Sequence, residues 1–465
     1  MRALIATLVV CAVSFAVLRV QGQENAAGDK YVTKDDYQKL KVQHEKLQRE
    51  MDTLKTQLDE MLRRKAVATP TPQDVQASKA QQSETDQAID ALEKELKTVK
   101  QMAKDSFPGT TKMLLTGYGS GTYTSTSKGY GPAQPLPPDD RTGRSFFTAT
   151  FNPIFLWKLS DRLLFEGELE LELENSDTTL SLEMANMSYI LNDYMTISGG
   201  KFLNPMDYFV ERQHMAWVNK MPDKPLAVYD GLIPDESLLG VQLRGAVPVG
   251  STKFGYAFFV ANAPTLVTNA DVSAGTLAGD NFENFGNHTA VGGRVGFYPI
   301  PELEIGYGAE YASVRPSGLS TSDINTLLQS VDGTYVRDSE RLKGIINLHA
   351  QWVWSHVDRF NFDTVDPTAG LGAFSNNRNG GYVQLAYRPS RVQNRILANL
   401  EPVVRYDMIN QRKTPVGFDE SRWSVGLDFW INPSTVVKVA YEFDHQRGPE
   451  GHNGNALLVQ AAVGF

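Results

Sequence analysis

The sequence predicts an all-β transmembrane barrel of about 16 antiparallel strands, preceded by an α-helical coiled coil. Three observations carry this expectation. From about residue 111 onward, apolar and polar residues alternate with period 2 over short segments. The connections between those segments alternate between tight turns and long polar loops. The chain ends on an apolar alternating file, Leu457, Val459, Ala461, Val463 and Phe465. Length agrees, because 465 residues hold one large barrel and an appendage. Hydrophobic residues make up only 41% of the chain, as expected when lipid-facing and water-facing side chains alternate.

Residues 1–22 read as a secretory signal peptide. Arg2 gives a charged start, Ala3 to Leu18 form the apolar stretch, and Val20 and Gly22 suit a signal peptidase. Cys11, the only cysteine, lies inside it. The mature chain is therefore expected to have no disulfide, no thiol nucleophile and no thiolate metal site.

Residues 31–105 are charged, rich in Gln and Lys, and nearly free of Gly. Tyr37, His44, Met51 and Leu58 recur every seventh residue, as do Leu40, Leu47, Leu54 and Met61. Sustained heptads of this kind indicate a coiled coil. Pro70 and Pro72 mark a linker, and a second helix resumes with Ile89, Leu92, Leu96, Val99 and Ala103 before Pro108-Gly109.

Residues 111–465 form the barrel. In the clearest strand, Phe165, Gly167, Leu169, Leu171 and Leu173 alternate with Glu166, Glu168, Glu170, Glu172 and Glu174. A strand between lipid and water places five carboxylates on one face, and no helix does. The same alternation recurs at Leu239–Leu243, Phe254–Val260, Leu303–Tyr311, Trp423–Ile431 and Val437–Phe443. Turns are expected at Ser160-Asp161, Asn192-Asp193 and Asn432-Pro433-Ser434, and long loops at about 124–144, 203–236, 263–287, 356–379 and 446–455. Obvious strands number about fifteen, an odd count that a barrel with both ends on one side forbids. A strand at Val331–Val336, followed by a turn at Arg337–Glu340, restores an even number.

Four segments, YILNDYMTISGGKFLNPMDYF at 189–209, GYAFFVANAP at 255–264, GGYVQLAYRP at 380–389 and LEPVVRYD at 400–407, resemble the phosphate-selective porin O/P family and related trimeric porins with an N-terminal coiled-coil segment. The resemblance covers roughly residues 111–465. It implies a 16-stranded barrel, a homotrimer, and a third outer loop folded into the pore. The phosphate-selective members line their constriction with basic residues, and in this respect the sequence departs from them.

Strand parity puts Glu166, Glu168, Glu170, Glu172, Glu174, Glu304, Glu310, Glu401, Asp407, Asp428, Glu442 and Asp444 on the lumen side, against the basic Arg244, Arg294, Lys343, Arg405 and Lys438. The wall is thus more acidic than basic, and carboxylate favours cations. Adjacent Glu residues at about 7 Å repel by about half a kcal/mol per pair before screening. Either permeating cations or Arg212, Lys220 and Lys224 of the third loop are expected to offset them. His214 of the same loop completes the constriction candidates.

These features point to a porin for passive diffusion of small hydrophilic solutes or ions in a bacterial outer membrane, with the coiled coil in the periplasm. Its expected partners are outer-membrane lipid, a homotrimer and the barrel-assembly machinery that reads Phe465. A structural anchor, with the coiled coil tethering the membrane to peptidoglycan, is the alternative. No catalytic motif, cofactor or metal site is expected. The formal charge of -9 opposes nucleic-acid binding, which needs a basic face.

Overall fold

A computed structural model describes residues 112–130, 143–174, 177–231, 233–269, 273–279, 288–316, 323–368, 370–411, 419–448 and 453–465. The expected signal peptide at 1–22 and coiled coil at 31–105 lie outside the described residues.

Sixteen strands close into one antiparallel barrel. They are β1 (Lys112–Thr126), β2 (Ser145–Lys158), β3 (Leu163–Glu174), β4 (Asp177–Asn192), β5 (Met195–Leu203), β6 (Ser237–Val249), β7 (Thr252–Asn262) and β8 (Thr289–Ile300). Next come β9 (Leu303–Val314), β10 (Ile324–Ser339), β11 (Gly344–Asn361), β12 (Ala373–Arg388), β13 (Leu400–Asn410), β14 (Asp419–Asn432), β15 (Thr435–Arg447) and β16 (Asn453–Gly464). Each pairs with its sequence neighbours, and β1 pairs with β16 to close the ring. Closure leaves no strand edge unpaired. Among the described residues no helix is long and apolar enough to cross a membrane.

The seam is sealed by the last residue. The Phe465 amide donates to the Gly117 carbonyl at 3.0 Å, and the Gly117 amide donates back at 3.1 Å. The Phe465 ring stacks on Phe151 at 5.8 Å. Gly117 is required here: its φ is +155°, and a Cβ would sit 2.9 Å from the Phe465 ring and 2.2 Å from the Asn152 carbonyl oxygen.

The tight turns follow from side chains that bond their own backbone. Asn192 accepts from the Tyr194 amide at 2.9 Å, and Asn432 accepts from the Ser434 amide at 2.9 Å. Outward faces carry exposed apolar files, as in Trp423, Val425, Leu427, Phe429 and Ile431 of β14. The inward residues between them are buried.

Three expectations need correction. The missing strand is β10, which starts at Ile324 rather than Val331 and runs to Ser339, so its turn falls at 340–343. The expected loop at 356–379 shrinks to 362–372, because β11 reaches Asn361 and β12 begins at Ala373. The outward residues of this extension, His356, Asp358 and Asn377, are polar, so the strand pair reads as loop although its ladder continues. Further connections fall at 315–323 and 411–418, where no loop was expected.

The third loop, 204–236, turns inward. Its side chains seat against the inner faces of β11 to β16: Leu226, Ala227 and Ile233 against Val353 and Ile409, and Met221 against Ala386, Val403 and Ala440. In the fourth loop a short ribbon, Thr265–Leu266 paired with Leu277–Ala278, packs with Val314, Ile324, Val357, Phe360 and Phe362 in one apolar cluster.

Candidate functional site

The third loop opens with a short helix, α1 (Tyr208–Gln213), capped by the Asp207 carboxylate, which accepts from the Val210 amide at 3.2 Å. Gln351 of β11 holds this end twice. Its Oε1 accepts from the Phe209 amide at 3.1 Å, and its Nε2 donates to Asp207 at 3.2 Å. Gln213 meets His349 of the same strand at 2.7 Å, and Thr334 lies 3.0 Å from the same ring nitrogen.

Beyond α1, buried charges tie the loop to the opposite wall. The Lys438 ammonium donates to the carbonyls of Ala216, Asn219 and Met221, at 2.6 Å to Asn219 and 3.4 Å to Met221. Lys220 pairs with Glu401 at 3.0 Å, and Trp430 donates to the same carboxylate at 2.6 Å. Asp223 sits between two guanidiniums, Arg405 at 2.6 Å and Arg422 at 2.9 Å. Burial by itself would raise the Asp223 carboxyl, but these two cations outweigh it and hold it below the usual carboxylate range. Arg405 also binds Asp407 at 2.9 Å, and Tyr130 of the first loop donates to Glu442 at 2.6 Å beside Arg422.

Two open recesses, of about 360 Å³ and 240 Å³, are both bordered by Glu211, Arg212 and Arg244. The larger adds Lys253, Arg294 and Tyr298, and the smaller adds Glu166, Asn186, Ser188 and Gln242. The three shared residues form the neck between them. Glu211 on α1 accepts from Arg244 of β6 at 3.2 Å, so an ion pair spans from loop to wall. Arg212 is occupied by Glu304 at 2.8 Å and contacts the Tyr298 hydroxyl at 3.4 Å.

The sequence-derived residues thus divide. Arg294 is buried between Asp332 and Glu304. Arg405 and Lys438 are buried under the third loop, and Arg244 is exposed at the neck. Lys343 is a correction: it occupies the turn between β10 and β11 at φ +52°, exposed and off the strands. Glu166, Glu170 and Glu172 are half-buried, Glu168 is fully buried, and only the backbone of Glu174 is described. Of the loop cations, Arg212 pairs with Glu304 and Lys220 with Glu401, while Lys224 pairs with Glu236 at 2.6 Å and also lies within electrostatic reach of Glu170 in the file. His214 also approaches it, 3.8 Å from Glu168.

Several residues escaped sequence reasoning. Arg422 has the parity of Asp428 on β14, but it precedes the apolar file from which that strand was read. Arg378 fell in the supposed loop at 356–379. Asp223, Asp207 and Glu211 are third-loop carboxylates with no periodicity to mark them. One signal was legible: Val403-Val404, Val436-Val437 and Ala461-Ala462-Val463 are apolar on both faces, which means protein covers the inner face.

Among solved structures, the chain is similar to an anion-selective porin from Comamonas acidovorans, at 12% identity and a TM-score of 0.51 over 76% of this chain and 100% of that one. It is also similar to the outer membrane channel DcaP of Acinetobacter baumannii, at 12% identity and a TM-score of 0.50 over 77% and 99%. At such identity the likeness carries the porin fold alone. No family model matches the chain, and no curated protein matches it in sequence.

Proposed function

We propose that this chain is a bacterial outer-membrane porin through which small hydrophilic solutes or ions diffuse passively, in a passage narrowed by the third loop at Glu211, Arg212 and Arg244. The observation that carries the reading is a closed barrel with exposed apolar files outside, charged residues inside, and an inward-folded loop bordering two open recesses. Outer-membrane lipid surrounds the barrel, residues 1–22 direct export, and the segment at 31–105 lies in the periplasm and supports a homotrimer. The barrel-assembly machinery inserts the chain by reading Phe465. No cofactor, nucleic acid or catalytic step enters this reading.

The pore-lining set is Glu166, Glu168, Glu170, Glu172, Glu174, Arg244, Arg294, Arg405 and Lys438. The Glu file favours cations, because its potential raises their local concentration at low salt. The pairing of Arg212 with Glu304 and of Lys220 with Glu401 supports this, since those two charges are engaged away from the file and Lys224 offsets it only in part. The anchor reading, with peptidoglycan as the partner of the periplasmic segment, draws on the dense packing of the third loop against the inner wall.

Planar-bilayer conductance of the purified protein separates the two readings. A porin conducts, with a reversal potential showing modest cation preference that moves toward neutrality when the five Glu residues become Gln. Absence of any channel sinks the porin and favours the anchor. Anion preference in the unmodified protein keeps the porin but overturns the role given to the Glu file.

A further inference from the structure

Helix α1 lies across the neck, and a titratable side chain holds each of its ends. At the first end, Asp207 is fully buried. Its Oδ1 accepts from Val210 and Gln351, while its Oδ2 is enclosed with no hydrogen-bond partner. A carboxylate oxygen buried in that way is costly, and a proton on it removes the charge. The groups acting on Asp207 are Glu236 and Lys224 from the loop, with Tyr382 of β12 within electrostatic reach.

At the other end, the His214 Nδ1 meets the Val210 carbonyl in a close contact, which requires that nitrogen to carry hydrogen. Its Nε2 points at Glu168 of β3, 3.8 Å away. Both nitrogens therefore face acceptors, an arrangement that suits the imidazolium and leaves the neutral ring mismatched on one side. The edge of the Tyr118 ring on β1 packs against it at 6.0 Å, and Lys224 is the remaining charge acting on it. Asp207 is tied to β11 and His214 to β3, so α1 bridges separate parts of the wall.

We infer that α1 is a proton-linked bar: acid conditions hold it docked across the neck, and alkaline conditions loosen it and widen the passage. This rests on the porin reading and adds regulation at the same neck.

The direction of titration agrees at both ends. Burial pushes Asp207 up to about 7, against the hydrogen bonds from Val210 and Gln351. For His214, burial pulls down, but hydrogen bonding and charge from Glu168 win and raise it above the usual imidazole value. Each group thus holds its proton more tightly docked than free. The docked state is favoured most below the free values and loses that advantage as pH rises through the docked ones: on the way up to about 7 for Asp207, and from the ordinary imidazole value upward for His214.

The test is single-channel conductance of the full-length protein from about pH 5 to about pH 9, with an expected rise of about twofold. Asp207→Asn mimics the protonated acid and keeps a good helix cap, so conductance stays low at alkaline pH. His214→Gln removes the imidazolium, so conductance is already raised at acid pH and the remaining step is smaller. Heat-modifiable electrophoretic migration confirms that each variant is folded. In the unmodified protein, hydrogen-exchange protection of the 207–214 amides, corrected for intrinsic rates, falls about tenfold over the same range. A channel whose conductance and amide protection ignore pH overturns the bar and leaves the porin standing. So does a pH step that both folded variants retain in full. No channel at any pH sinks the porin reading itself.

Discussion

Lys438 donates to three loop carbonyls and is paired across the ladder with Asp428, whose own oxygens are buried without a hydrogen-bond partner. Its charge is therefore spent on holding the third loop rather than offered to a solute. Replacing it by Met keeps the length of the side chain but strands the carbonyls and leaves the carboxylate of Asp428 uncompensated. The expected loss is on the order of 3 kcal/mol in docking of the loop. Lys438→Met should give a noisier channel with larger conductance in planar bilayers. Quiet openings of unchanged size would show that the loop is held elsewhere. Glu211 and Arg244 make the contrasting case: their pair bridges loop to wall beside open recesses, with both side chains near solvent rather than buried under the loop.

At the scale of elements, β11 to β16 do something that β2 to β4 do not. Their inner faces carry small apolar residues and glycines that receive the third loop. Trp217 lies beside Trp430, Val436 and Ala462, and a Cβ on Gly464 would sit 2.6 Å from the Trp217 ring nitrogen. The socket exists because β16 presents no side chain there. Trp217→Ala removes a large buried surface from this contact, at a cost of about 3 kcal/mol. It should increase proteolytic cleavage within 214–224 while the barrel stays heat-modifiable. Protection equal to that of the unmodified protein would mean that the polar ties alone fix this segment. The acidic strand β3 faces no such cover. Its Glu file stays partly open, with His214 of the third loop 3.8 Å from Glu168 and Lys224 within electrostatic reach of Glu170.

At the scale of the whole molecule, closure depends on a single seam between β1 and β16, and Phe465 contributes two backbone hydrogen bonds and a ring stack to it. Deleting Phe465 removes these contacts as well as the proposed assembly signal. Outer-membrane levels of heat-modifiable barrel should fall several-fold with export unchanged. Unaltered levels would show that neither the seam nor the signal needs this residue. Two of the barrel's loops pack inward, the third against β11–β16 and the fourth in the apolar cluster with Val314 and Phe362, and Tyr130 of the first loop also reaches Glu442. The two recesses at the neck lie toward β3–β8.

The sequence by itself determined the barrel, because period-2 alternation is a local property that lipid on one side and water on the other impose on every strand. Glu166 to Glu174 and Trp423 to Ile431 are legible without any structure for that reason. It also determined strand parity, and hence the inward direction of Arg294, Arg405 and Lys438. Only the tertiary structure decided what those side chains meet. Asp223 joins Arg405 across 182 residues, and Lys438 finds carbonyls more than 200 residues away. No periodicity encodes such pairings, since they depend on where an irregular loop comes to rest. The same holds for the neck: Glu211 and Arg244 lie on a loop helix and a strand, and their pairing follows from the inward fold of the third loop rather than from any pattern in either segment. Where outward residues turn polar, as at His356 and Asp358, the alternation fades while the ladder continues, because hydrogen bonds and not lipid contacts define a strand.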